Sequence, residues 1–559
     1  MRHSASPYSV AAAVREAFAI TEQRSILGHR SNLAQRLRNT PQARSFHDYF
    51  VTLLPSSSLA PDRSSNHNLP RAESKPHSGP ARGLTNDQHA ARGTTIVRIP
   101  LRSAKHHFGA GCVRGGRPYN EDTFQAGTIE MPAFAKRQPI SLTRDAAQSG
   151  GQAAAGESGD PQVFYFGVFD GHGGNECSEF LRDRLHGYIE EAALLFGMDS
   201  SLQKNDESPA MDGGIMGEMD PEDLQKTLVA EWKSTVGGYF KRFRPQFFPA
   251  INGAEWNPAG NSSIETILSY AFLKADLDFT TAQAAKRTSP QMSSSIDDPV
   301  LSDRPLNDQD MLFHPERPAS QNLTHRPPAK GSSPNLDAPI GGSSRFKGGS
   351  TASTALISTP TPTPFWHPVA PSTLITAHVG DTRILLCRTS DGKSVPVTSN
   401  HHPDLPSEAS RLRRYATAFS TDSFGDQRVL GLANTRAFGD IASKRVGVSA
   451  EPEIVTTQLA PAEYSFVVLV SDGVSGHLSD QEIVDIVKEE RTPASAATAL
   501  INFAVETNES EGGADNATAL VVRLGGWERR SEGGDGSFGT KERRDFRKRD
   551  AEDPRSRRQ

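Results

Sequence analysis

The chain has 559 residues, a formal net charge of −5 and a hydrophobic fraction of 35%. The near-neutral charge argues against a dedicated nucleic-acid binder, which normally carries a strongly basic domain. The three cysteines, Cys112, Cys177 and Cys387, lie far apart, which excludes a disulfide scaffold and a cysteine-based zinc motif and fits a reducing compartment. The longest apolar runs, such as 163–169 and 466–470, are only as long as strands, so we predict no membrane span.

The first fifty residues are rich in arginine and poor in acidic residues, and 10–20 can form a short amphipathic helix. This composition is typical of a mitochondrial transit peptide. We therefore predict a targeting segment at 1–50 and a location in the mitochondrial matrix or intermembrane space. An ordinary basic terminus on a cytoplasmic protein is the alternative. The arginines stand at positions 2, 15, 24, 30, 36, 38 and 44, against Glu16, Glu22 and Asp48.

Composition divides the rest of the chain. Residues 51–95 are rich in Ser, Pro, Asn and His and predict a disordered linker. A folded domain is expected at 96–525, and it carries disordered insertions near 141–160 and 288–348, where aliphatic residues are few. The mixed-charge segment 526–559 predicts a disordered tail, which favours solvation over nucleic-acid binding.

Within the domain, apolar runs predict strands and 3.6-residue periodicity predicts helices. Gly380-Asp381 separates two apolar runs and predicts a tight hairpin. Ser479-Asp-Gln-Glu482 is a capping box ahead of a helix. These elements suggest layered sheets with helices outside. The predicted strands are 163–170, 351–358, 373–379, 382–387, 465–471 and 517–524, and the predicted helices are 174–196, 221–243, 262–286, 480–490 and 493–508.

Acidic residues beside glycine repeatedly stand where predicted strands begin or end. A single Asp-Gly pair is most often a turn. Several together would gather carboxylates at one end of the sheets, where hard cations must neutralise them. Oxygen ligands without cysteine select Mg²⁺ or Mn²⁺. The residues concerned are Asp170, Asp381, Asp472, Asp515, Glu121 and Asp122.

Seven short motifs follow one another along the domain. They are Arg117-x-x-x-Glu121-Asp122, Val168-Phe-Asp-Gly-His-Gly-Gly174, Gly349-Ser-Thr-Ala352, His378-Val-Gly-Asp381-Thr-Arg383, Thr435-Arg-Ala-Phe-Gly-Asp440, Val470-Ser-Asp-Gly473 and Ala514-Asp-Asn516. In this order, the motifs resemble the type 2C metal-dependent Ser/Thr protein phosphatases across about 105–525, and most closely the fungal mitochondrial members. The resemblance implies an α+β fold, an α-β-β-α layered sandwich of two antiparallel sheets flanked by helices.

The resemblance also implies a set of metal ligands for two Mg²⁺ or Mn²⁺ ions. Asp170 would bridge both ions, and Asp122 would orient metal-bound water from outside the ligand set. A third, weaker ion would use Asp381, although the chain has Gly476 where many members have an acidic residue. The remaining ligands are Glu121 and the backbone carbonyl of Gly171 for one ion, and Asp472 and Asp515 for the other.

The implied chemistry is hydrolysis of phosphoserine and phosphothreonine in proteins. A water shared by the two ions would attack phosphorus directly. Arg117 would bind two phosphate oxygens with its planar donors. His172 would act as the general acid for the leaving oxygen.

Other residues of the motifs and of the segment near them are interpreted without a catalytic role. We expect Asp440 to be structural and to hold loop amides. His401 and His402 predict a solvated loop rather than a metal site. The segment 401–440, which contains Glu408, Arg411 and Arg436, resembles the flap beside the active site of the family, where it would influence substrate choice.

Two other classes of function stay open on sequence. A non-catalytic relative would bind phosphoproteins in the same groove, but it would be expected to lose Asp170, Asp472 or Asp515, and all three are present. A scaffold would act through 288–348. The expected partners are phosphorylated proteins and not nucleic acid, and the chain is expected to be a monomer.

Overall fold

The computed structural model of the protein describes the domain and part of the segments around it. Residues 1–48, most of the linker and most of the two predicted insertions lie outside the described residues. The described ranges are 49–55, 94–100, 107–136, 160–200, 220–253, 263–286, 340–342, 345–361, 363–413, 419–421, 425, 427–429, 431–508, 514–531 and 535–552.

The strands, in chain order, are β1 (Tyr49–Pro55), β2 (Thr94–Pro100), β3 (Phe108–Val113), β4 (Thr123–Ile129), β5 (Val163–Phe169), β6 (Gly171–His172), β7 (Gly349–Ser350), β8 (Ala352–Ser358), β9 (Ser372–Val379), β10 (Arg383–Arg388), β11 (Ser394–Pro396), β12 (Phe419–Thr421), β13 (Gln427–Val429), β14 (Phe438–Gly439), β15 (Glu453–Leu459), β16 (Tyr464–Val470) and β17 (Ala517–Arg523).

The helices are α1 (Glu176–Leu195), α2 (Pro221–Thr235), α3 (Pro249–Asn252), α4 (Ile264–Ala285), α5 (Pro406–Leu412), α6 (Ile441–Lys444), α7 (Asp472–Ser475), α8 (Asp480–Glu489), α9 (Pro493–Asn508) and α10 (Asp535–Glu552), with 3-10 turns at Gly238–Arg242 and Trp527–Arg529.

Two five-stranded antiparallel sheets dominate the architecture. The first has the order β15-β9-β8-β5-β4, and the second has the order β11-β10-β16-β17-β3. Smaller sheets pair β14-β7-β6, β12-β13 and β1-β2. The last pair shows that the predicted linker 51–95 both starts and ends in strands.

Strand β5 shows how the sequence builds the layers. Phe164, Phe166 and Val168 pack in a core shared by the two sheets. Val163 and Tyr165, which alternate with them, belong to a second core that includes residues of α1 and α4. Successive side chains of a strand point to opposite faces, so a strand that is apolar throughout is buried on both sides. The opposite outer face, on the second sheet, packs against α8 and α9, and the α-β-β-α sandwich is confirmed.

Local signals place several helix ends as expected. The capping box forms at α8, where the Ser479 side chain accepts from the Glu482 amide and the Glu482 side chain accepts from the Ser479 amide. Asp220 caps α2 ahead of Pro221, and Ser263 caps α4. A side-chain oxygen at this position satisfies a first-turn amide that has no partner within the helix.

The predicted hairpin at Gly380-Asp381 is wrong in its pairing. Strand β9 pairs with β8 and β15, whereas β10 pairs with β11 and β16. The turn therefore passes from one sheet to the other. Gly380 has a φ of +108°, and a Cβ there would lie 2.5 Å from the Thr351 side chain. Period-2 patterns mark strands but do not say which sheet a strand joins.

The predicted disordered tail at 526–559 is also corrected, because it contains α10. Thr540 donates to Asp485, and the Arg544 guanidinium makes two hydrogen bonds to Glu489, at 2.8 and 3.1 Å. Arg547 donates to the His477 carbonyl. The contacts that order this polar helix are polar and come from α8 and from His477 just before it, which composition alone does not reveal.

None of the helices in the described part of the chain is both long enough and apolar enough to span a membrane.

We expect Arg544→Ala to lower the free energy of unfolding by about 0.5–1 kcal/mol, since it removes a partly exposed ion pair. It should also speed proteolytic cleavage within α10, as urea unfolding and limited proteolysis would show. Arg543→Ala is the matched control, because Arg543 lies next to it on the helix and is exposed. Equal effects of the two substitutions would contradict a docked helix.

Candidate metal centre and active site

Three buried strands deliver three carboxylates to one point. Asp170 follows β5, Asp381 follows β9 and Asp472 follows β16. One carboxylate oxygen from each lies within 4.8 Å of the others. Strands β5 and β9 belong to the first sheet and β16 to the second, so the cluster lies at the junction of the two sheets. Three of the six acidic residues that the sequence predicts to gather therefore lie together.

This concentration of carboxyls is costly when they are ionised. Burial, together with the charge of Asp472, raises the pKa of Asp170 well above its usual value. Burial and Asp472 also raise the pKa of Asp381 to about 7. Burial raises the pKa of Asp122 to about 7. A cation in the cluster would favour the ionised form of each carboxyl.

Asp122 lies beside this cluster and is held by a hydrogen bond from β17. It is buried, and its carboxylate accepts from Thr518 Oγ1 at 2.8 Å. Thr518 Oγ1 also lies 3.0 Å from Cys112 Sγ. Asp122 therefore has a fixed protein partner on β17, which suits a residue that orients the ligands from outside.

Glu121 and Gly171 approach each other through their backbones. A Cβ on Gly171 would lie 2.5 Å from the Glu121 carbonyl oxygen, so only glycine fits there. Ser178 Oγ donates to the same carbonyl at 2.5 Å. Burial raises the pKa of the Glu121 carboxyl. The structure thus brings together the backbones of the two residues that the resemblance assigns to one ion.

Arg117 and Asp515 form a direct ion pair. Arg117 Nη2 lies 2.7 Å from Asp515 Oδ2, and the side chains are 59% and 34% exposed. The hydrogen bond and charge of Asp515 raise the pKa of Arg117. The predicted phosphate-binding group and a predicted metal ligand are therefore partners in this structure, and the exposed guanidinium keeps donors for a further acceptor.

His172 is paired with Asp440, which corrects the expectation that Asp440 only holds loop amides. His172 Nε2 lies 2.9 Å from both carboxylate oxygens of Asp440. Burial lowers the pKa of His172, but the Asp440 carboxylate outweighs it, and the pKa is raised to about 9. Asp440 thus orients the imidazole and favours its protonated form.

A buried ion pair supports the turn that carries Asp440. Asp440 itself has a φ of +44°. Asp276 accepts from the Gly439 amide at 2.9 Å and from Lys444 Nζ at 2.5 Å, and neither charged side chain is exposed. Lys444 also donates to the Ala437 carbonyl at 2.7 Å. These bonds fix the backbone on both sides of Asp440.

His401 is buried, which contradicts a solvated loop at that position. Its Nδ1 accepts from the Gly380 amide at 3.0 Å, and its own amide donates to the Gly380 carbonyl at 2.9 Å. The ring stacks on His378 with centroids 4.8 Å apart. His401 therefore holds the turn that positions Asp381.

The side chains of His378, His401 and Glu453 are close enough to suggest a second metal site, but the hydrogen bonds oppose it. His378 Nε2 lies 2.9 Å from the Ser399 carbonyl and must donate to it, and Nδ1 is bonded to Ser353 Oγ. His401 Nδ1 accepts from an amide, so its proton is on Nε2. A nitrogen that carries a proton has no lone pair for a metal.

The predicted flap residues form a buried ion cluster. The Glu408 carboxylate accepts from Arg411, Arg436 and Thr435 at 2.7–3.2 Å. Burial alone would raise the pKa of Glu408, but the two arginines hold it well below its usual range. Arg411 also packs against the Tyr239 ring, 5.6 Å from its centroid. These charged groups are bonded to one another, so they stabilise the flap and have few free donors for substrate.

Gly476, at the position of the missing third-ion carboxylate, ends α7. A Cβ there would lie 2.8 Å from the Asp472 carbonyl oxygen. Among the described residues, Asp381 Oδ1 is buried without a hydrogen-bond partner. This close contact, at ordinary helical dihedral angles, favours glycine. A third ion held by Asp381 stays a prediction.

The structure brings Asp170, Asp381 and Asp472 together. It pairs Arg117 with Asp515 and His172 with Asp440. Sequence reasoning missed the roles of Asp440, Asp276 and His401. The partners of these residues lie far along the chain (His172 and Asp440 are 268 positions apart), so no local motif indicates the pairing.

The chain is similar in sequence to known protein phosphatases. The model of the family "Protein phosphatase 2C" matches residues 329–512. The chain is 30% identical over 437 residues to protein phosphatase 2C homolog 4 of Schizosaccharomyces pombe, an alignment that covers 78% of this chain and 84% of the relative. It is 38% identical over 155 residues to the mitochondrial protein phosphatase 1K of Xenopus laevis, covering 28% and 40%.

Among solved structures, the serine-threonine phosphatase 2C of Toxoplasma gondii matches with a TM-score of 0.40 and 17% identity, over 75% of this chain and 94% of that one. The long alignment with the Schizosaccharomyces pombe relative carries the assignment, because it spans most of both chains. The chain belongs to the protein phosphatase 2C family of metal-dependent protein serine/threonine phosphatases.

Proposed function

We propose that the chain is an active phosphatase that hydrolyses phosphoserine and phosphothreonine in proteins, with two Mg²⁺ or Mn²⁺ ions and with direct attack of water on phosphorus. The observation that carries the proposal is the convergence of Asp170, Asp381 and Asp472 from two sheets. A binding module without catalysis would have no need to keep this arrangement of charges together.

The residues fit hard divalent cations. The donor set consists of carboxylate and carbonyl oxygens, which Mg²⁺ and Mn²⁺ prefer. The pKa values of Asp170 and Asp381 are raised, and one oxygen of Asp381 has no hydrogen-bond partner. Both features are expected of carboxylates that serve as cation ligands. Asp170 would contact both ions, and Asp381 would serve a weaker third one. The other ligands would be Glu121, the Gly171 carbonyl, Asp472 and Asp515.

When bound, two such ions would lower the pKa of a shared water and supply a nucleophile at neutral pH. Arg117 would bind the phosphate with the guanidinium donors not used by Asp515. His172, held through Nε2 by Asp440, would give a proton from its other nitrogen to the departing serine or threonine oxygen. Protonation of the leaving group matters because an alkoxide is a poor leaving group.

The direct test is hydrolysis of a phosphopeptide by the full chain with Mn²⁺, with EDTA, and with Mn²⁺ plus okadaic acid as a negative control. We expect activity that needs Mn²⁺ and resists okadaic acid. If the chain binds the phosphopeptide and Mn²⁺ but releases no phosphate, the phosphoprotein-binding alternative replaces this proposal.

We also propose a mitochondrial location. The support is the arginine-rich, acid-poor pattern of 1–50 and the similarity to a relative whose name places it in mitochondria. This pattern, with the long polar insertions, is also what likens the chain to fungal mitochondrial members of the family.

Substitution of a metal ligand should abolish turnover. We expect Asp170→Asn, Asp472→Asn and Asp515→Asn each to lower kcat/KM by at least about 10³-fold, because the nucleophile depends on the ions. Asp391→Asn, in an exposed turn with Arg388, is the control and should have no effect. Losses below tenfold in all three variants, with folding intact by circular dichroism, would refute the ligand assignment.

The pairing of His172 with Asp440 should depend on the leaving group. His172→Ala should lower turnover on a phosphoserine peptide by about 10²–10⁴-fold and affect an aryl phosphate far less, since a phenolate leaves without a proton. Asp440→Asn should act in the same direction, and the double variant should lose no more than His172→Ala. Equal losses on both substrates would remove His172 from the acid role.

The targeting proposal predicts that residues 1–40 carry a fluorescent reporter into mitochondria. Replacement of Arg2, Arg15 and Arg24 by Glu should prevent import, because it reverses the charge of the segment. Fluorescence microscopy with a mitochondrial marker measures the outcome. A cytosolic wild-type reporter would end this proposal.

A further inference from the structure

The loop between β3 and β4 carries both Arg117 and Glu121, and one side chain outside the loop closes it. Asn516 Nδ2 donates to the carbonyl of Arg114 at 2.8 Å and to the carbonyl of Tyr119 at 2.9 Å. Asn516 Oδ1 accepts from the Glu121 amide at 2.8 Å. Asn516 is 5% exposed. One buried amide thus bonds to the backbone on both sides of Arg117 and at Glu121.

The same loop lies directly on the backbone around Asn516. Gly116 donates its amide to the Ala514 carbonyl at 2.7 Å. Gly115 has a φ of +61°, and a Cβ there would lie 2.3 Å from the Asp515 carbonyl oxygen. No side chain could be placed between the two segments at this point. The loop and the start of β17 therefore form one unit.

The side-chain chemistry at position 516 is specific. A primary amide offers two donors and an acceptor in one plane, and all three functions are used. Aspartate keeps the acceptor for the Glu121 amide but turns lone pairs towards two carbonyl oxygens. Alanine provides neither function. Residues 116–118, between the two held carbonyls, are exposed. Apart from the Gly116–Ala514 hydrogen bond, the close approach of Gly115 and the ion pair with Asp515, the bonds of Asn516 therefore define where Arg117 stands.

We propose that Asn516 is a positioning residue with two separable effects: its Nδ2 sets the placement of Arg117 for phosphate, and its Oδ1 sets the placement of Glu121 for metal. The inference rests on the proposed function, since it assigns what these two residues do. Asn516 itself would contact neither phosphate nor metal.

The test compares Asn516→Ala with Asn516→Asp in the full chain. Three quantities are measured: kcat and KM on a phosphoserine peptide, the Kd for Mn²⁺ by calorimetry without substrate, and amide hydrogen exchange of residues 114–121. Asn252→Ala is the matched control. Asn252 Nδ2 also donates to two loop carbonyls, those of Pro245 and Gln246, but that loop carries no proposed site residue.

Asn516→Ala should raise both the peptide KM and the Mn²⁺ Kd by about 10–100-fold, the usual effect of losing a group that orients ligands, and should speed exchange across 114–121. Asn516→Asp should raise KM and leave the Mn²⁺ Kd unchanged or lower, because the bond to the Glu121 amide survives. Asn252→Ala should leave all three quantities unchanged.

A double variant separates the placement of Arg117 from direct repulsion between the new carboxylate and the phosphate. In an Arg117→Ala background, Asn516→Asp should raise KM by less than about twofold, since its target is already absent. A persistent increase there would mean that the new carboxylate repels phosphate directly, and it would overturn the Arg117 part of the proposal. A rise in the Mn²⁺ Kd as large in Asn516→Asp as in Asn516→Ala would overturn the Glu121 part.

If Asn516→Ala does not fold, Asn516→Asp and the exchange of 114–121 still decide the question, because the loop should loosen at its Arg114 end and stay protected at Glu121. If the wild-type chain hydrolyses no phosphopeptide, the proposed function fails by itself. The Mn²⁺ Kd and the exchange rates would then still support or overturn the role of Asn516.

Discussion

The rest of this structure depends on one constraint, which is the repulsion among carboxylates that lie close together in a site with little solvent. Asp170, Asp381 and Asp472 present oxygens within 4.8 Å of one another, and burial raises the pKa of all three. Such a cluster opposes folding of the chain alone and favours cation binding. The surrounding structure must therefore hold the acids in place against their own charge.

Side chains outside the cluster do this through hydrogen bonds. Each of them bonds to a turn or loop that carries a site residue. His401 bonds both backbone groups of Gly380 and so holds the turn of Asp381. The Asp276–Lys444 pair holds the turn of Asp440. Asn516 closes the loop of Arg117. These supporting groups are buried, where polar side chains are costly unless fully bonded, and so their geometry is well defined.

The charged groups at the edge of the site divide into two kinds. Glu408, Arg411 and Arg436 are bonded to one another inside the flap, so they determine its shape. Arg117 is mostly exposed and paired to Asp515 by a single contact. An exposed ion pair contributes little to stability, which is consistent with the phosphate-binding role proposed for Arg117. Burial distinguishes the arginines of the flap from Arg117.

The sequence by itself indicated the six predicted strands and the five predicted helices, because period-2 and 3.6-residue patterns and the capping box at Ser479 are local. It did not indicate β3, β4, β11 or β15, which complete the two main sheets. It also indicated the three clustered carboxylates, since acidic residues beside glycine at strand ends can be read directly from the sequence. It did not determine that Gly380-Asp381 crosses between sheets, that α10 forms, or that Asp440 pairs with His172. Each of these depends on contacts between residues distant in the chain, and only the packing of the two sheets and their helices brings those residues together.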